Sequence, residues 1–376
     1  MPLGKNNTMN QTNLLKNTFS GKTIFITGHT GFQGSWLTLW LEMLGAKIIG
    51  FSKPPLTNPS LFNILNLEKS IKHIVGDVND YRHISKSIQK ANPDFVIHLA
   101  AQALVRKSYE VPLDTFTTNI IGTANVLHSL RALKNNVSCV IMTSDKCYEN
   151  LDGAKPHKES DPMGGDDPYS ASKGAAELVT SSFKKSFFNN QHDHRISSVR
   201  AGNVIGGGDW SDDRLIPDLV DSIINNKKIV IRNPDHVRPW QFVLESLSGL
   251  LWILHKMSTN NKKYNQSWNL GPDKKNIITV EQIVKKFSKE WKSINLKNNT
   301  QQKSKFSESN SLRLDSTKAK KLLNWKNVYD IDQTIFETIN WYRSFHEKPS
   351  MIKELSIQQI ETYMINANKK KFLWAQ

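Results

Sequence analysis

Residues 22–34 constrain this chain more than any other segment. A short β-branched run, Lys22 to Thr27, closes in Thr27-Gly28-His29-Thr30-Gly31-Phe32-Gln33-Gly34, and residues 36–44 then carry apolar side chains at helical spacing. A strand that passes through three glycines into a helix makes a tight turn with bare backbone. The helix start beyond it offers unpaired N–H groups and a positive dipole end. A pyrophosphate fits such a turn, its charge met by the helix N-terminus. Gly28, Thr30, Gly31, Phe32, Gln33 and Gly34 are therefore expected to hold a dinucleotide.

The alternation continues. Residues 46–51, 72–75, 95–99, 139–142 and 196–200 read as buried strands. Residues 84–90, 114–134 and 171–188 read as helices, the second with an apolar stripe of Phe116, Ile120, Ile121, Ala124, Leu127, Leu130 and Leu133. Strand–helix alternation predicts an α/β fold with a Rossmann-type doubly wound parallel sheet over residues 21–201. After Gly202 the pattern breaks at Gly206-Gly207-Gly208 and Pro217, with helical stretches at 218–224, 245–255 and 280–291. With 376 residues the chain exceeds one ordinary core. Residues 202–350 are read as a smaller C-terminal α/β substrate lobe with some segments returning to the first domain. Residues 1–20 are read as a flexible N-terminal extension, 351–376 as a C-terminal extension, and 295–310 as a low-complexity stretch.

A net charge of +16 raises nucleic acid as a partner, but the lysines are dispersed and interleaved with asparagine, as at Asn225-Asn226-Lys227-Lys228 and Asn260-Asn261-Lys262-Lys263. That is a bias of solvated faces, and no nucleic-acid binding is expected. The positive field suits an anionic small substrate. Cys139 and Cys147 complete no metal spacing, and His192-x-His194 lacks a third ligand, so no metal is expected. The N-terminal segment is polar and no stretch is apolar enough for a bilayer, which predicts a soluble cytoplasmic protein with no membrane contact.

Tyr169 and Lys173 stand at i and i+4 at a helix start, on one face. An ammonium beside a tyrosine is expected to lower its pKa, making it a base for a substrate hydroxyl while the carbon gives up hydride. Thr143-Ser144, at the end of the fifth strand, adds a hydroxyl. Asp145 and Lys146 follow, two ionisable groups more than simple hydride transfer requires. An exposed ion pair is the plain alternative, but the C-terminal end of a parallel strand is where such sheets bind ligand. The ribose-binding position reads Phe51-Ser52-Lys53-Pro54-Pro55, without an acid. Lys53 would suit a 2′-phosphate, and Asp77 is a candidate for the adenine amino group, so the residues leave NAD and NADP open.

Gly-x-x-Gly-x-x-Gly with Tyr-x-x-x-Lys resembles the extended short-chain dehydrogenase/reductases, and among them the nucleotide-sugar 4,6-dehydratases. Their strand-five motif is usually hydroxyl-Asp-Glu; here it is Ser144-Asp145-Lys146, similar to the CDP-glucose 4,6-dehydratases. Leu99-Ala100-Ala101-Gln102, residues 200–210 (RAGNVIGGGDW) and residues 238–245 (RPWQFVLE) extend the resemblance over residues 21–342. It implies a tightly bound NAD, contacted also by Asp77, Val78, Leu99, Ala100, Ala101, Thr118, Tyr169 and Lys173. It implies catalysis by Ser144, Asp145, Lys146, Tyr169 and Lys173, with Tyr169 removing the 4-hydroxyl proton as hydride leaves C4 for NAD, Lys146 removing the C5 proton and Asp145 protonating the leaving 6-hydroxyl. Gln102, Asn203, Arg214, Arg232 and Arg238 would bind the nucleotide sugar, and a homodimer would pair through helices 114–134 and 171–188. Asn324 stands where the family has glycine, at a helix end that asparagine tolerates. A nucleotide-sugar 4-epimerase, or a 4,6-dehydratase of another nucleotide diphosphate sugar, is the nearest alternative; a non-catalytic NAD-binding module gives no reason for Tyr169, Asp145 and Lys146 to occur together.

Overall fold

The apolar runs become strands of one parallel sheet in the computed structural model, which describes residues 14–149, 155–188, 193–229, 231, 233–259, 262–291 and 312–376. In chain order the elements are α1 (Leu14–Phe19), β1 (Thr23–Thr27), α2 (Phe32–Met43), β2 (Lys47–Ser52), α3 (Leu61–Ile64), β3 (Lys72–Val75), α4 (Tyr81–Ala91), β4 (Phe95–His98), α5 (Val105–Glu110), α6 (Pro112–Phe116), α7 (Gly122–Leu130), β5 (Ser138–Met142), α8 (Pro168–Phe187) and β6 (Arg195–Arg200). The second part follows as β7 (Val204–Ile205), α9 (Leu215–Asn225), β8 (Val237–Pro239), β9 (Gln241–Phe242), α10 (Val243–Ser258), β10 (Ser267–Asn269), β11 (Ile277–Thr279), α11 (Val280–Glu290), α12 (Ile331–Glu347) and α13 (Ile352–Lys369).

The seven-stranded sheet runs β10-β6-β5-β4-β1-β2-β3, every pair parallel. Strand order reverses between β1 and β4, which opens a crevice at their carboxyl ends. β4, β5 and β6 are buried at every residue, β4 and β5 as largely apolar runs and β6 although it carries Arg195, Ser197, Ser198 and Arg200; β3 is the edge and is only half covered, unlike the buried strand expected of it. β10 comes from the second part of the chain and completes the other edge. α10 is apolar nearly all round and accordingly buried, packed against β5, α1 and α2. One apolar core thus joins Trp36 and Val140 of the first part to Leu247, Trp252 and Trp325 of the second.

Three expectations change. Residues 14–19 are no loose extension: Leu15 and Phe19, four apart on α1, are buried, and Phe19 meets Phe95 edge-on at 5.1 Å. The rest of that extension and the 295–310 stretch lie outside the described residues. Residues 351–376 dock as α13 and a final turn, with Trp374 buried and stacked on Tyr363 at 5.6 Å. The helix expected at 114–134 is broken into α6, a π turn over Thr117–Ile121 and α7. The wide turn brings in Asn119, which donates to the Gln102 carbonyl (3.0 Å) and Ser172 Oγ (2.8 Å) and accepts from the Gln102 N–H (2.9 Å).

α13 is fixed to α10 through Glu245, which accepts from the Val328 and Tyr329 N–H groups and from Tyr363 Oη at 2.8 Å. Burial pushes the Glu245 pKa up to about 7 against those bonds. A carboxyl with a raised folded-state pKa holds its proton better folded than unfolded. Its contribution is whole below about pH 4.5 and is lost as pH rises through 7. Glu245→Gln, measured by chemical denaturation, is expected to remove on the order of 3 kcal/mol of pH dependence across that window.

Candidate active site

At the end of β1 the chain turns at Gly28, φ +76°, where a Cβ would lie 2.5 Å from the Ala100 nitrogen. A Cβ on Gly34 would lie 2.2 Å from the Gly28 oxygen, so the glycines let main chain pass main chain. Gly31 differs: its Cβ would meet only the Gly28 oxygen at 3.5 Å, ordinary contact facing open space. Gly31 is also the N-cap of α2 and supplies no side-chain cap, so the first N–H groups of that helix face the crevice. These features fit a dinucleotide pyrophosphate. Thr30 Oγ1 hydrogen-bonds Ser52 Oγ (2.8 Å) and donates to the Lys53 carbonyl (3.0 Å), tying the turn to β2. Lys53 Nζ pairs with Asp77 Oδ2 at 2.8 Å, so its charge is already met. Val78 is buried against Gly122, Thr118 Oγ1 accepts from Asn79 Nδ2 (3.2 Å), and Leu99 and Ala101 line the cavity beyond the glycine turn. His29, beneath the turn, is bonded to His73 Nδ1 at 2.7 Å, and burial, with His73 beside it, pulls its pKa down to about 3.

β5 delivers the reacting groups. Past Met142 the chain makes a short 3₁₀ turn over Asp145–Cys147, capped by Ser144 Oγ, which accepts from the Lys146 N–H at 3.2 Å. Ser144 Oγ donates to Asp145 Oδ1 at 3.0 Å. Asp145 is only 3% exposed, and its Oδ2 has no hydrogen-bond partner. Burial raises its pKa, opposed by Lys146, Ser144 and Arg238. Gly202 makes room for it: a Cβ there would sit 1.8 Å from Oδ2. Tyr169 opens α8 behind the Asp167 cap and Pro168, its N–H donating to Ser108 Oγ at 3.2 Å. Here the expected lowering of the tyrosine fails. Burial pushes Tyr169 up to about 12 despite a hydrogen bond with Ser144, and burial pulls Lys173 down to about 8. Lys173 Nζ donates to the Met142 carbonyl at 3.4 Å and lies 6.0 Å from the Tyr169 ring centre.

Ser144, Asp145, Lys146, Tyr169 and Lys173 line one cavity of about 380 Å³, closed on its far side by the second part of the chain. Asn203 (φ 41°), Arg214 and Arg238 reach it; Arg214 is held by Asp209 at 2.8 Å, and Arg238 Nη2 donates to His236 Nδ1 at 3.0 Å. Gln102 does not serve as expected. Its carboxamide donates to the Leu104 carbonyl and Thr115 Oγ1, both at 3.0 Å, and accepts from the Leu104 N–H at 2.7 Å, so it braces its own loop. Arg232 lies outside the described residues, as does His192; His194 Nδ1 accepts from the Val137 N–H and Nε2 contacts the Leu130 carbonyl, a structural role. Gly202, His236 and the Arg106–Asp213 ion pair (3.1 Å) on the cavity wall escaped the sequence reading. Only Gly202 had a local signal, its place beside Arg200 and Asn203.

Residues 25–338 match the family model for GDP-mannose 4,6 dehydratase. A CDP-glucose 4,6-dehydratase of Salmonella typhimurium is 42% identical over 93% of this chain and 98% of its own. The chain belongs to the nucleotide-sugar 4,6-dehydratase family. A dTDP-glucose 4,6-dehydratase of Xanthomonas campestris is 24% identical over 85% of this chain and 93% of its own. The crystal structure of dTDP-glucose 4,6-dehydratase from Bacillus anthracis in complex with NAD superposes with a TM-score of 0.73 at 21% identity, covering 87% of this chain and 98% of that one, and shows the shared fold.

For this family member the glycine geometry separates two variants. Gly31→Ala is expected to melt like the parent yet lose dinucleotide affinity at least about tenfold by calorimetric titration, because its methyl enters only open space. Gly34→Ala is expected to lower the melting temperature sharply, since its methyl meets backbone.

Proposed function

We propose that this chain is an NAD-dependent hydro-lyase converting CDP-glucose to CDP-4-keto-6-deoxyglucose and water. The observation that carries the reading is Asp145, a buried carboxyl with one oxygen unpaired, next to Lys146 and lining the same cavity as Tyr169. Simple C4 oxidation and return, as in an epimerase, needs no such acid. The 42% identity to a CDP-glucose 4,6-dehydratase supports the nucleotide.

Bound NAD would accept hydride from C4 and give it back at C6. Tyr169, assisted by Ser144, takes the proton of the 4-hydroxyl. Lys173, with a pKa of about 8, is mostly protonated at neutrality and stabilises the Tyr169 phenolate that accepts this proton. The resulting 4-ketone acidifies C5–H. Lys146 removes that proton, Asp145 gives its own to the departing 6-hydroxyl, and water leaves. Lys146 then returns a proton to C5. Arg214 and Arg238 are placed for the diphosphate, whose oxygens a guanidinium binds bidentately. The Asp77 partner of Lys53 favours NAD, because a 2′-phosphate there would face a carboxylate.

A homodimer is supported by Leu113, Ile121 and Leu178, exposed on the adjoining α6, π turn and α8. Among the described residues no helix is long and apolar enough to cross a membrane.

Incubation with CDP-, UDP-, dTDP- and GDP-glucose in heavy water is expected to give a 4-keto-6-deoxy sugar carrying deuterium at C5 from CDP-glucose alone. A 4-epimer product would sink the proposal. Asp145→Asn is expected to lower kcat by at least about 100-fold with KM little changed. Lys146→Ala is expected to abolish C5 exchange, followed by NMR.

A further inference from the structure

Four residues beyond Lys173, on the same face of α8, a carboxylate is buried that the reaction as described does not use. Glu177 is 4% exposed and draws donors from three neighbouring strands. Thr143 Oγ1, at the end of β5, donates to its Oε1 at 2.6 Å. Ser198 Oγ (2.7 Å) and Arg200 Nη2 (2.8 Å) of β6, with Ser267 Oγ of β10 (3.2 Å), donate to Oε2. Arg200 Nη1 then donates to Tyr148 Oη at 2.6 Å, and Tyr148 Oη donates to Asn269 Oδ1 at 2.6 Å. The network therefore grips both ends of the segment 143–148, which carries Ser144, Asp145 and Lys146, and joins it to the helix that carries Tyr169 and Lys173.

We propose that Glu177, clamped by Arg200, is a positioning residue of the reaction: it locks α8 to the end of β5 and supplies the negative charge that keeps Lys173 an ammonium at the C4 subsite. The proposal rests on the reading of Tyr169 and Lys173 as the C4 pair.

The surroundings of Lys173 leave that charge to Glu177. From β4, His98 is held neutral, its pKa pulled to about 3 by burial and by Lys173 itself. From the turn after β5, the Cys147 thiol is held protonated by burial, and burial raises Asp145 as well. Tyr169, on α8, is neutral at physiological pH, and Arg200 of β6 is a cation that acts against a second one. Lys146, in the same turn, is also basic. Burial lowers Lys173, and the Glu177 carboxylate works against that fall. Glu177 is itself kept ionised: although burial acts to raise it, Arg200, Thr143 and Ser198 bring its pKa below the ordinary value. The geometry gives this pair a tuning role as well as a mechanical one, because Arg200 keeps Glu177 ionised and Glu177 in turn opposes the effect of burial on Lys173.

Three variants test it. With Glu177→Gln the alkaline limb of kcat/KM, which follows loss of the Lys173 proton, is expected to move down by about one pH unit. The 15N titration of Lys173, assigned by comparison with Lys173→Met, should move with it. Arg200→Gln removes the cation that keeps Glu177 ionised and is expected to move both downward as well. Thr143→Val cuts the link to β5 without touching either charge; it should lower kcat several-fold with the limb and KM unchanged. A shift shared by the two charge variants and absent from Thr143→Val cannot arise from a common loss of stability. If the limb and the Lys173 titration stay at the parent values in the folded variants, the tuning role is wrong; parent kcat in Thr143→Val overturns the anchor. Should Glu177→Gln fail to fold, a downward shift in Arg200→Gln decides for the tuning role and an unmoved titration decides against it. The 15N titration needs no substrate, so a parent enzyme inactive on every nucleotide sugar would defeat the functional reading while still judging this one.

Discussion

Parallel pairing of β1, β4, β5 and β6 brings four carboxyl ends to one edge of the sheet, and the whole site hangs from that edge. Parallel neighbours need a crossover helix between them, so residues that meet at the edge are far apart in sequence. Gly28 beside Ala100, and Asp145 beside Gly202, are the two places where this meeting is tightest. In both, a glycine removes the one atom that would hold the segments apart. The first contact shapes the dinucleotide turn and the second lets a carboxyl lie where water does not reach it.

Burial then acts in one direction on Asp145, Tyr169 and Lys173. It raises Asp145, raises Tyr169 and lowers Lys173, each toward its uncharged form. Burial thus favours the proton-bearing form of the acid, while the tyrosine becomes a base only with help from the charges around it. The low dielectric that suppresses charge also strengthens each remaining interaction, so a single buried carboxylate below the site carries more weight than a surface one would.

The glycine turn, the doubly wound parallel sheet with six of its seven strands, and the Tyr169–Lys173 and Asp145–Lys146 pairs were legible in the sequence because each is a local pattern, whereas β10 was not. What escaped depends on contacts across the chain. Gln102 occupies a motif position, but only the fold reveals that Leu104 and Thr115 satisfy its carboxamide. The sequence places an ammonium near Tyr169 yet cannot weigh it against burial, and burial wins. The π turn at 117–121 follows from Asn119 bonding to Ser172, a partner on another helix. Asn324 shows the opposite case: it takes a left-handed conformation, φ 52°, at its helix end, as a residue standing in for glycine there must.

The Leu14 N–H donates to the Gln376 carbonyl at 2.8 Å, so the first and last described turns of the molecule are neighbours. During synthesis α1 emerges early, with Leu15 and Phe19 uncovered on one side until the segment around Trp374 has left the ribosome. β10, the strand that finishes the sheet, likewise arrives long after β6. The chain can assemble the β1-to-β6 layer as it is made, but sealing that layer is a late, long-range event that exposes apolar surface to other molecules until it is done.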